Sequence, residues 1–274
     1  MKVRIFIVLV ACVLISSCGD YEKLLKSTDY DLKKAKAKEY YESKQYAKAT
    51  ELLSQILPRF RATEEAEELN WINAEAYFNM KQYDLAGNYY KSLVEQYPFG
   101  KYAEQATFMG AKCDYNLSPR AELDQTSSRN SIEGFNVFIS RFPNSSRVQE
   151  AKNYIKDLQE RLVEKSYMNA KLYYNMREYK AAITALSNSL KEFSDSKYRE
   201  EMMYLKLNSL YLYAERSYAT KQKERYQATL DDYFSFMEEY PESRYSKEVK
   251  KIYQDTARYL KLGEQNVNNL GNNQ

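Results

Sequence analysis

The chain has 274 residues, a formal net charge of +3, no histidine and three cysteines. Lacking histidine, it lacks the commonest metal ligand and general base, and it has no glycine-rich phosphate loop. Its near-balanced charge is a poor match for nucleic acid, so no catalytic residue, metal, cofactor or nucleic-acid partner is expected, and the composition excludes most enzyme classes.

Lys2 and Arg4 open the chain, followed by an apolar run from Ile5 to Ile15 and then Ser16-Ser17-Cys18. That run is shorter than the roughly 20 apolar residues needed to cross a bilayer, and its flanks are those of a secretory signal. Ile15-Ser16-Ser17-Cys18 is similar to a bacterial lipobox. On that reading residues 1–17 are removed, Cys18 receives a diacylglycerol and the new amino terminus is acylated. Cleavage takes Lys2, Arg4 and Cys12, which lowers the formal charge to +1 and leaves Cys113 as the one free thiol. A lone thiol in an exported chain makes no internal disulfide, so stability must come from packed helices.

Residues 18–28 carry little pattern and read as a lipidated tether. Asp29 or Asp31 can cap a first helix ending near Glu42, and Tyr46 to Phe60 forms its partner, with Ala49, Leu52, Leu53, Ile56 and Leu57 on one face. Around this bend lies Ala37 to Ala49, a pattern the chain writes again at Ala74 to Ala86 and Ala170 to Ala182. In each copy alanine is followed three residues on by tyrosine, then an aromatic, a polar bend, tyrosine again and alanine. Small alanines that let two helices approach, with tyrosines between them, mark a tetratricopeptide-type helix hairpin. The predicted fold is all-α: a right-handed superhelix of about five helix pairs over residues 29–262, closed by a capping helix.

A second motif separates the pairs. Tyr97-Pro98-Phe99-Gly100-Lys101-Tyr102 is echoed by Phe142 to Arg147 and Tyr240 to Tyr245, and more weakly, without proline, by Phe193 to Tyr198. Proline blocks the preceding helix and a serine is expected to N-cap the next, with Gly100 in its place in the first copy and no capping-box glutamate following. Repeat three pairs a helix from Ala103 to Asn116 with one from Ile132 to Phe142, interrupted by Leu117 to Arg129. Repeat four pairs Val148–Asn175 with Tyr179–Phe193. Repeat five runs from Tyr198 to Tyr218, breaks at Thr220 to Glu224 and returns through Tyr226 to Tyr240. Tyr245 to Leu262 supplies the cap, and residues 263–274, with five asparagines, read as a disordered tail.

Taken together, the lipobox, the Tyr97-Pro98 and Phe142-Pro143-Asn144-Ser145 junctions and the Asp124-Gln125-Thr126 interruption leading into Phe135 and Phe138 resemble the BamD family of outer-membrane assembly lipoproteins. Leu158 to Leu162, Glu164, Ala170, Tyr173, Tyr174, Arg177, Tyr179, Ala181 and Ala182 are similar to that family's fourth repeat. The resemblance covers nearly all of the mature chain. It implies a lipid-anchored scaffold in the outer membrane, facing the periplasm. The implied partners are the POTRA domains of a barrel-forming assembly subunit and unfolded outer-membrane protein precursors. Two departures are that many members carry arginine where this chain has Ala185, and a glycine-containing turn where it has Glu178.

Aligning the three hairpins places Lys34, Lys38, Tyr41, Trp71, Glu75 and Phe78 on one inward stripe, with Tyr167, Lys171 and Tyr174 equivalent in repeat four. These are candidates for a groove that takes an aromatic-ended precursor segment, the lysines near its carboxylate; the alternative is that the rings simply pack between repeats. Arg120, Asp124 and Arg177 are the candidate partner-binding residues, against a mobile surface loop for 120–129. The competing function is a tetratricopeptide envelope scaffold coordinating peptidoglycan synthesis with outer-membrane constriction. Such proteins share the Tyr-Pro-x-Ser junction but usually lack a lipobox.

Overall fold

The computed structural model describes residues 20–261, which contain helices and no strand. The signal, Cys18 and the tail lie outside the described residues. The first helix, α1 (20–26), is followed by α2 (Tyr30–Glu42), α3 (Tyr46–Phe60), α4 (Ala66–Asn79), α5 (Tyr83–Gln96) and α6 (Ala103–Leu117). Next come α7 (Thr126–Arg141), α8 (Val148–Asn175), α9 (Tyr179–Glu192), α10 (Arg199–Glu215), α11 (Ala219–Glu239) and α12 (Ser246–Leu260). The chain divides into two compact units: the first runs to Pro119 and adds Asp124–Leu158, the second joins Arg120–Leu123 to Gln159 and all that follows.

The recurring residues explain the hairpins. Ala37, Ala49, Ala74, Ala86, Ala170 and Ala182 are all 0% exposed, as small side chains must be where two helices of a pair approach closely. Across each bend an aromatic meets the tyrosine five residues on: Tyr41–Tyr46 at 5.8 Å, Phe78–Tyr83 at 5.3 Å and Tyr174–Tyr179 at 6.2 Å between centroids. The bend itself needs one residue in the left-handed region, and Lys44, Lys81 and Arg177 supply it at φ 60°, 60° and 63°. Glycine is the residue that would adopt it without strain.

In the first unit, Leu52, Leu53 and Ile56 of α3 pack on Ala37, Leu69 and Ile72. Farther along, Tyr90 and Leu93 of α5 join Phe108 of α6 and Phe135 and Phe138 of α7. The α6–α7 contact is close enough that a Cβ added at Gly134 would lie 2.9 Å from the Ala111 Cβ. In the second unit, Tyr167, Ala170, Ala182, Leu186, Met202 and Leu205 form one cluster, with Ala185 packed against it, and Leu207, Phe236, Val249 and Ile252 form another.

Several expectations change. The stretch expected to be a tether is helical over 20–26, with Leu24 buried and Lys33 of α2 donating to the Leu25 carbonyl at 3.0 Å and to Gln55 at 2.6 Å. Asp29 is the cap of α2, its carboxylate accepting from the Leu32 N–H at 2.8 Å. Helix α7 starts at Thr126, six residues ahead of the apolar periodicity, because Asp124 accepts from the Thr126 N–H and the buried Ser128 and Ser131 donate to the Gln125 side-chain oxygen and the Ala111 carbonyl. The break in repeat five falls at residues 216–218, and the polar 220–224 segment is the first turns of α11, solvated on its outer side.

The junction serines are not helix N-caps either. Helices α10 and α12 begin after Tyr198 and Tyr245, and neither tyrosine makes a side-chain cap. The serines cap the preceding tight turn: Ser145, Ser196 and Ser243 each accept from the N–H two residues on, at 3.0–3.1 Å. Two of them also donate to a glutamate in the first turn of an earlier helix, Ser145 to Glu104 and Ser243 to Glu200, at 2.6 and 2.7 Å. At Gly100, which has no hydroxyl, Glu67 reaches over and accepts from the Tyr102 N–H directly at 2.7 Å. A Cβ at Gly100 would overlap that carboxylate, so the glycine makes room for it.

Candidate peptide and partner surfaces

The last residue of each junction lies on an aromatic of the preceding first helix. Tyr102 stacks on Trp71 (5.1 Å, 9°), Tyr198 on Tyr167 (4.3 Å, 4°) and Tyr245 on Tyr204 (4.1 Å, 1°). In the remaining copy the Arg147 guanidinium sits 3.5 Å from the Phe108 ring centroid. Sequence reasoning missed this joint. Its signal was the tyrosine closing three of the four junction motifs.

The six groove candidates are thereby placed. All lie in the first unit, on α2 and α4, which run side by side in the same direction: Lys34 pairs with Glu65 and Lys38 with Glu68, both at 2.7 Å. Trp71 also touches Tyr90, at 5.6 Å, and so fills the joint between repeats. Tyr41 and Phe78 clasp the hairpin bends, half-buried, and burial beside Glu75 raises the Tyr41 hydroxyl to about 12. Glu75 accepts from the buried Tyr90 hydroxyl. Burial lifts its carboxyl above the usual range, against the opposing pull of Tyr90, Arg147 and Lys112. Lys112, Arg147 and Glu150 belong to the same surface and were not foreseen; Lys112 pairs with Glu150 at 3.7 Å and Arg147 with Glu150 at 3.4 Å. The second unit holds the counterpart: Lys171 donates to Glu201 at 2.8 Å and to the Tyr167 hydroxyl at 2.6 Å.

Both groove lysines thus already hold carboxylates. The lysines of these pairs are largely covered, but Glu65 and Glu68 are 41% and 44% exposed, so solvent screens them and an incoming carboxylate can exchange with either at a cost of about 1 kcal/mol. The surface offers ring faces and ion pairs whose acids are open to solvent. Among the described residues, no three histidine, cysteine, aspartate or glutamate side chains are grouped to hold a metal. Cys113 is buried beside Glu75 and Asp114, and burial pushes its thiol up to about 12.

The partner candidates are not brought together in one unit. Asp124 belongs to the first, where it opens α7. Arg120 and Arg177 belong to the second: Arg120 pairs with Glu122 at 3.6 Å, and Arg177 is exposed at the tip of the α8–α9 bend. The 120–123 segment is held down, since Lys165 donates to the carbonyls of Glu122 and Leu123 at 3.2 and 2.8 Å.

A family model described as "YfiO: Outer membrane lipoprotein" matches residues 32–224, from α2 into α11. The chain belongs to the YfiO family of outer membrane lipoproteins. The BamD-type resemblance is thereby confirmed, and with it the all-α, tetratricopeptide-type architecture. No curated relative matches the chain. The solved TPR2AB-domain:pHSP90 complex of yeast Sti1 is similar over 83% of this chain and 98% of that one, at 12% identity and a TM-score of 0.37, a likeness too loose to bear on function.

Proposed function

We propose that this YfiO-family lipoprotein is a scaffold of the outer-membrane β-barrel assembly machinery. Acylated at Cys18 and facing the periplasm, it binds the POTRA domains of the barrel-forming subunit and receives unfolded outer-membrane protein precursors. The observation that carries the reading is the family match across residues 32–224. The first-unit surface supports the precursor half of it. Lys34, Lys38, Tyr41, Glu75 and Phe78 present exchangeable charges and half-buried rings, which suit an extended segment ending in an aromatic and a carboxylate. Trp71 contributes by holding the joint that sets the spacing of α4 and α6. Arg120, Asp124 and Arg177 remain the proposed partner contacts.

Gentle detergent extraction, affinity isolation and mass spectrometry should recover a barrel-forming subunit with the chain. Photocrosslinkers at Tyr41 and Phe78 should capture the terminal strand of a precursor. Isolation without any barrel-inserting subunit would sink the assembly role, and empty crosslinks at both positions would remove the groove.

A further inference from the structure

We propose that the first unit meets the membrane with the edge where α2 turns into α3, and that the docked helix α1 sets this orientation. The inference rests on the acylation of Cys18. Helix α1 lies on the first hairpin with its residue-20 end toward the bend: the Tyr21 ring packs edge-on against Tyr40 at 5.6 Å, and its hydroxyl donates to Glu51 at 2.6 Å. At its other end, the Leu25 carbonyl accepts from Lys33. Cys18 is two residues from Asp20, and two residues reach at most about 7 Å. An acyl chain at Cys18 therefore holds the bend at residues 43–45 near the headgroups. The edge suits that depth: Tyr21, Tyr40, Tyr41 and Tyr46 ring the bend, with the Lys48 ammonium 5.4 Å from the Tyr21 ring centroid and 5.2 Å from that of Tyr40.

Helices α2 and α4 point the same way, so the Lys81 bend shares this edge and the 97–101 junction lies at the opposite one. A helix of about 14 residues separates the two edges by roughly 20 Å. Acids are as plentiful as lysines around the bend, so the tether sets the orientation and bulk charge does not.

The test uses the full acylated chain in vesicles containing a headgroup-nitroxide phospholipid, with a fluorophore on Glu42→Cys or on Phe99→Cys. Phe99 is 97% exposed at the far edge, while buried Cys113 stays unlabelled. Quenching should be several-fold stronger at position 42 than at 99 and insensitive to salt. A twelve-residue Gly-Ser insert after Gly19, which spans about 19 Å r.m.s., should erase the difference without touching the fold. Equal quenching without the insert, stronger quenching at 99, or a difference that survives the insert would overturn the proposal. The mass of the amino-terminal peptide separates the two failures. Unacylated Cys18 defeats the anchor itself, and acylated Cys18 with equal quenching defeats the orientation alone.

Discussion

Glu75 illustrates how a buried acid tunes stability with pH. Its raised pKa means the native chain holds this proton more tightly than the unfolded chain. The associated stability is complete below the ordinary glutamate range and is lost as pH rises through the raised value. Glu75→Gln keeps an acceptor for the Tyr90 hydroxyl and removes the buried charge. Its melting temperature should exceed the parent's at pH 8 and match it near pH 4; a lower value at pH 8 would show that Arg147 and Lys112 outweigh the desolvation. The left-handed bends give a second residue-level expectation. Lys44→Gly and Lys81→Gly should each stabilise the chain by about 1 kcal/mol in denaturant titrations, since glycine adopts φ near 60° without the side-chain clash.

Between elements, the carboxylate that reaches from one first helix to the next junction replaces a local cap. Glu67→Ala leaves the Tyr102 N–H without its acceptor and should cost about 1.5–3 kcal/mol, as for other hydrogen bonds to charged groups. Gly100→Ser in that background should recover most of the loss, because the hydroxyl can then serve Tyr102 as Ser243 serves Tyr245. Lack of rescue in the double variant would mean that the glutamate acts otherwise. The hairpins themselves were readable in sequence because alanine and tyrosine recur at fixed offsets, and α2, α3 and α8 fall where the periodicity puts them. The early start of α7 was not readable, since serines and an aspartate open it before any apolar residue appears. Nor was the pairing of Lys34 with Glu65 and of Lys38 with Glu68, some thirty residues away, although Lys34 also meets the nearby Asp31 at 3.1 Å. The rings of the stripe were visible, but stacking on Tyr102 and Tyr198 depends on contacts between repeats that periodicity does not encode.

At the scale of the whole molecule, the proposed binding residues divide between two units, and their effects should divide likewise. Arg177→Glu, in the second unit, should lower recovery of the barrel-forming partner while leaving precursor crosslinking from Phe78 unchanged. Loss of both together would point to a fold defect, and loss of neither would free Arg177 from the interface. The joints between helix pairs carry a different consequence. Each draws a ring from one copy and its turn and closing residue from the next, and three of the four add an acid from the earlier copy, as Glu200 and Tyr204 meet Ser243 and Tyr245. A duplication or excision that spans one full period rebuilds this joint at its seam. A segment of arbitrary length strands a carboxylate opposite the wrong helix start. Gain or loss of helix pairs in such a chain is therefore expected to proceed by whole pairs, each carrying its own ring and junction.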